Sequence, residues 1–158
     1  MQTRFPRHWR WITFTALAAA PTRGTVTNVL RDEQLLIAHP GQPQPTTIRL
    51  AGIRPFPDQT PALEQWLNEH LVAQPVEVVI TLARTGDRAA PAAHLYLRDG
   101  TLVNERLIES GIARTEPHTA GRLRHWLRTL ENRARFKRVG LWALTPDPTH
   151  TPPPAADQ

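Results

Sequence analysis

AAHLYLRDGTLVNERLIESGIA, residues 92–113, changes its hydrophobic period halfway along. Up to Gly100 the apolar side chains recur at every second residue. Ala93, Leu95 and Leu97 share one face, and His94, Tyr96 and Arg98 share the other, the pattern of a half-buried strand. On this reading His94 is a surface histidine. From Thr101 the spacing becomes helical: Val103, Leu107 and Ile108 gather on one side over 101–110. Gly111 then stands where a helix accepts a left-handed residue at its C-terminal cap.

The same two periods recur on either side. Gly24–Leu30, Gln34–Ala38, 46–53 and 75–83 read as strands, the last with Val76, Val78, Ile80 and Leu82 on one face. Arg31-Asp32-Glu33 is a polar hairpin tip, and 39–45 (HPGQPQP) is a loop by composition. Two prolines and an aspartate after Arg54 forbid further ladder pairing of the third strand. Thr60-Pro61 opens a helix with a capping hydroxyl and a proline at the first helical position, followed by Leu63, Trp66, Leu67 and Leu71. A third helix, about 120–138, carries Leu123, Trp126, Leu127, Leu130 and Ala134 on one stripe and arginines opposite. Five short strands and three helices predict an α+β fold built on a small barrel.

Charge is unevenly distributed over the 158 residues. The net +5 combines +4 in residues 1–23, −2 in 24–115, +6 in 120–138 and −3 from Glu116, Asp147 and Asp157. Basicity therefore sits in a leader and one helix, where Arg124, Arg128 and Arg135 are candidates for contacting nucleic-acid phosphates or an acidic surface. The leader has a basic start, an apolar stretch from Trp11 to Ala20 and small residues at its end. That layout predicts export through a signal peptide, with a cytoplasmic location as the alternative, and the stretch is too short to span a bilayer. Residues 145–158 are too rich in proline and too poor in apolar residues to fold. One domain, 24–144, is expected between them. Without cysteine there is no disulfide, thiolate metal site or cysteine nucleophile. No histidines have zinc-ligand spacing, and nothing implies a small-molecule cofactor.

GTVTNVL, TIRLAGI, AHLYLRDGTLVNERLIESGIA and LENRARFKRVGLWA, taken in order, resemble the staphylococcal nuclease family. The combination DG-x-LVNE-x-L-x-x-x-GIA, followed about twenty residues later by a helix ending GLW, is its strongest part. The resemblance covers roughly Gly24 to Ala143. It implies an OB-type five-stranded barrel with three helices, in which Asn104 hydrogen-bonds buried backbone and Gly111, Leu141 and Trp142 cap and pack.

The resemblance also implies a site, and this chain departs from it. The family cleaves phosphodiesters with a carboxylate-held calcium ion, a carboxylate base and two arginines. Arg49, in RLAGI, matches the phosphate arginine. Glu33 falls at the calcium ligand of the first turn, which is approximately DGDT in the family. Arg54 stands where a second metal carboxylate belongs, a charge that repels a divalent ion. Without a gap Pro57 replaces the base; with one inserted residue Asp58 takes its place. In the loop of the second arginine, counting back from Ala93 puts Ala90 at its position, with Arg88 two residues early. Two expectations follow from different classes. One is a nuclease-fold protein with an impaired site, binding nucleic acid or another macromolecule. The other is a calcium-dependent nuclease using Arg49, Glu33, Asp58 and Arg88. A structural, envelope-associated module is a third.

Overall fold

The structure, a computed structural model, describes residues 20–30, 33–81, 90–117, 119 and 121–144. The leader up to residue 19, Arg31, Asp32, Arg88 and the tail from 145 lie outside the described residues. In chain order the elements are β1 (Thr22–Val29), β2 (Gln34–Ala38), β3 (Thr46–Leu50), β4 (Ile53–Pro55), α1 (Thr60–Leu71), β5 (Pro75–Ile80), β6 (Ala92–Leu97), α2 (Val103–Glu109), β7 (Ala113–Thr115), α3 (Gly121–Phe136) and a 3-10 turn (Gly140–Ala143).

Five strands close a barrel in the order β1-β2-β3-β6-β5. All its pairs are antiparallel except β3 with β6. The two-residue period decides what fills it. Val26, Leu35, Ile37, Ile48, Leu50, Val76, Val78, Ala93 and Leu95 are buried in one apolar core, as alternating strands on a closed sheet require. Leu63, Leu67 and Leu71 of α1 enter the same core, with Trp66 partly buried beside them. α1 begins at Thr60 with no side-chain cap, so the Thr60 hydroxyl does not play the expected role.

Two expectations about single elements are corrected. The stretch 46–53 is not one strand: it turns at Ala51-Gly52, and Ile53–Pro55 pairs again, antiparallel to Ala113–Thr115. The prolines end β4 only after a three-residue ladder against a strand far off in sequence. Trp126 does not belong to the buried stripe of α3. It is 43 % exposed, and its indole N–H donates to Glu105 Oε1 at 2.7 Å.

Asn104, fully buried, ties three elements at the foot of α2. Its amide donates to Ala51 O at 2.7 Å and to Ala93 O at 3.5 Å, and its Oδ1 accepts from the Leu95 N–H at 3.3 Å. A second tie joins the ends of α2 and α3. Gly111 (φ +66°) and Gly140 (φ +58°) lie against each other's segments, and the Leu141 N–H donates to Gly111 O at 3.0 Å. Among the described residues no helix is long and apolar enough to cross a membrane.

Candidate functional site

Arg49 occupies the outer face of β3 because its neighbours Ile48 and Leu50 point into the barrel core. Its backbone is paired with Gln34 of β2 and Ala92 of β6. The side chain is only 5 % exposed. A buried guanidinium cannot shed its proton, so it needs a counter-charge. Glu116, just past β7, supplies one: Nη1 lies 3.8 Å from Glu116 Oε2. That distance is loose for an ion pair, and Nε and Nη2 of Arg49 are buried without a hydrogen-bond partner. The retained arginine is thus half satisfied from within, with donors to spare for an oxyanion.

Glu116 was not legible as a site residue. It reaches Arg49 because its backbone N–H bonds Gly52 O at 2.9 Å, extending the β4–β7 ladder by one step. Pairing of a three-residue strand across some sixty positions has no local signature. A carboxylate directly after the GIART run was the one clue available.

Glu33 and Asp58 sit in separate turns, before β2 and after β4. Glu33 precedes Gln34, the register partner of Arg49, so it stands one residue from that ladder pair. Glu33 is half-buried and left-handed, φ +58°. Asp58 is exposed in the turn after β4, φ +59°, and forms no ion pair among the described residues. Glu116, by contrast, meets the opposite end of β4 through Gly52 O. Arg88 cannot be placed, since it lies outside the described residues.

Arg54, which the resemblance aligns with a metal carboxylate, lies directly opposite Arg114 in the β4–β7 ladder. Among the described residues no three histidine or acidic side chains converge. These groups do not fit a calcium ion. Hard cations need several oxygens, and here the half-buried carboxylates of Glu33 and Glu116, the second already facing Arg49, would compete with fixed guanidinium charge.

His94 is corrected from the surface to the interior. All of Ala92–Tyr96 is buried, because α2 packs against β6 and the strand is covered on both faces. Burial pushes the His94 imidazole down to about 4. The unfolded chain then takes up a proton near pH 6.5 that the fold refuses until about pH 4, so stability declines as pH falls through that window. Urea unfolding between pH 7 and 4 should register a loss of roughly 3 kcal/mol from this group. The decline should flatten in His94→Leu. An equally steep profile in that variant would assign the loss to other groups.

Arg124, Arg128 and Arg135 are all exposed on α3. Their separations of four and seven residues keep them on one stripe of the helix. Arg135 also stacks over Trp142, its guanidinium carbon 5.0 Å from the ring centroid. Arg114 stands 5.7 Å from the Phe56 and Trp142 rings. The α3 stripe therefore meets the β4–β7 face across a shared aromatic contact.

Among known families, the one described as staphylococcal nuclease homologue matches residues 47–144. No curated protein matches the chain.

Proposed function

Since the chain belongs to the staphylococcal nuclease homologue family, we propose that it is a nucleic-acid-binding member whose metal-dependent phosphodiester cleavage has been lost. The observation that carries this reading is Arg54, placed on one sheet face with Arg114 where the resemblance calls for a metal carboxylate. Two guanidinium groups there raise the local potential against a divalent cation and favour a polyanion. Binding is assigned to the α3 stripe, with Arg49 as a buried phosphate donor. At the base position, Pro57 fills the ungapped alignment and Asp58, the gapped one, is exposed.

Purified protein incubated with single-stranded DNA or RNA should give no cleavage in calcium beyond that in chelator. Calcium-dependent cleavage that disappears in Arg49→Ala would overturn the loss of activity and favour the altered nuclease. Binding is read from the salt dependence of affinity. Replacing Arg124, Arg128 and Arg135 together by glutamine should reduce the log–log slope by about 2 on single strands, at ~0.7 per phosphate contact. An unchanged slope removes α3 from the interface. For the leader we propose export; a mature chain starting at Met1 would show that no cleavage occurs.

A further inference from the structure

We propose that Arg54 and Arg114 form a binding site for a phosphate group on the outer face of the β4–β7 sheet, where the resemblance calls for a metal carboxylate at Arg54 and assigns nothing to Arg114. It deepens the polyanion-binding reading and rests on it for the ligand's class, but it stands on different residues.

The geometry begins with register. Arg54 and Arg114 are Cα partners in an antiparallel pair, so their side chains leave the same face with stems about 5 Å apart. Their flanking pairs, Ile53 with Thr115 and Pro55 with Ala113, point the other way, and Ile53, Ala113 and Thr115 are buried. Like charges directly opposed destabilise a strand pair, and arginine cannot relieve this by deprotonation. A counter-charge is therefore expected, yet the nearby acids are engaged elsewhere. Glu116 faces Arg49 at 3.8 Å, and Glu131 Oε2 accepts the Thr115 N–H at 3.1 Å. Among the described residues no carboxylate lies within ion-pair distance of Arg54 or Arg114.

The two side chains are also held in place. The Nε of each is cut off from solvent and has no hydrogen-bond partner, whereas their terminal nitrogens are not among the sealed atoms. The stems are thus sunk into the surface and the forks remain accessible. Arg114 is fixed further by the Phe56 and Trp142 rings, each 5.7 Å from its guanidinium carbon, and those two rings lock edge to face with centroids 4.6 Å apart. Arg135, on the same Trp142 ring at 5.0 Å, adds a third positive charge alongside. Two adjacent, pre-oriented guanidinium forks without an acid suit a tetrahedral oxyanion, which takes paired N–H donors from each. Both aromatic rings are buried, Phe56 to 5 % and Trp142 to 7 % exposure, so they leave no free face for a base to stack on. A phosphate fits this site and a nucleobase does not.

The test is a titration of the full chain with inorganic phosphate at low ionic strength, followed by calorimetry and by backbone amide shifts. Saturable binding with shifts centred on residues 53–55 and 113–115 is expected. Arg54→Gln and Arg114→Gln should each weaken it about tenfold or more, on the usual worth of a charge-assisted hydrogen bond. Arg54→Lys should recover only part of the loss, and Arg106→Gln, on α2, should change nothing. Thermal melts of the variants separate loss of the site from loss of the fold. No saturable binding, or wild-type affinity in both glutamine variants, would overturn the proposal. A 5′-phosphorylated oligonucleotide preferred over its unphosphorylated twin, with the preference lost in Arg54→Gln, identifies a terminal phosphate as the natural occupant. Equal weakening of both identifies a backbone phosphate. Phosphate binding lost while oligonucleotides still bind through α3 would sink this site alone and leave the family-level reading standing.

Discussion

Replacing Asn104 by leucine is expected to destabilise the fold by about 4 kcal/mol, through the buried backbone groups it orphans. The side chain is fully buried, and leucine of similar volume fills its space without a cavity. What is lost is polar. Ala51 O loses a donor at 2.7 Å and the Leu95 N–H loses its acceptor at 3.3 Å, and both residues are buried. Each such group costs roughly 1–3 kcal/mol when left unpaired inside a protein. Because the Ala51 turn leads directly from Arg49 to Arg54, the damage should spread to the site. Chemical denaturation gives the stability change from the shift in midpoint. Asn104→Asp, which keeps the acceptor but loses the donor, should fall at least as far when its carboxylate is charged. A loss under 1 kcal/mol in Asn104→Leu would mean that the network is dispensable.

Gly111→Ala should cost a similar amount, about 4 kcal/mol, by a steric route. At φ +66° an L side chain is already strained. Its Cβ would also run into the carbonyl oxygen of Val139, a backbone atom that cannot swing aside. Gly41 separates the two contributions, since it has φ +76° with nothing within 4 Å of a built Cβ. Gly41→Ala should therefore cost only about 1 kcal/mol, the conformational part. Near-equal losses at the two glycines would show that the contact with Val139 yields easily. The functional consequence is specific. The Gly111–Gly140 contact fixes the end of α3, and with it Arg135 and Trp142, against β7 and Arg114.

The barrel was legible because its strands obey a two-residue period and each is flanked by turn residues. Gln34–Ala38 and the core positions of β5 and β6 needed nothing more. α2 and its glycine cap were equally plain, since helical spacing and a left-handed terminus are local properties. The errors share a physical origin in long-range burial. His94 was read outward from the alternation of 92–98, but α2 covers that side of β6, and alternation cannot reveal a second layer. β4 was read as the spent end of β3, because a three-residue strand has no pattern of its own and its partner β7 is equally short. At the site, Arg49 was found through its strand context. Glu116 and Arg114 were missed because only the pairing of β4 with β7 brings them near Arg49 and Arg54.

Closure of the barrel by β1 and β5 has a consequence for how the chain emerges during synthesis. Thr22–Thr25 pair with Pro75–Val78, about 50 residues later, and β3 waits for β6 until Ala92 is available. Until then a nascent β1-β2-β3 meander exposes two open edges, the kind of surface that recruits other strands. Distant pairing also slows closure, since the intervening loop must first be ordered. The hazard of misassembly for this protein is therefore concentrated early in translation, before the residues that carry its chemistry have all been made.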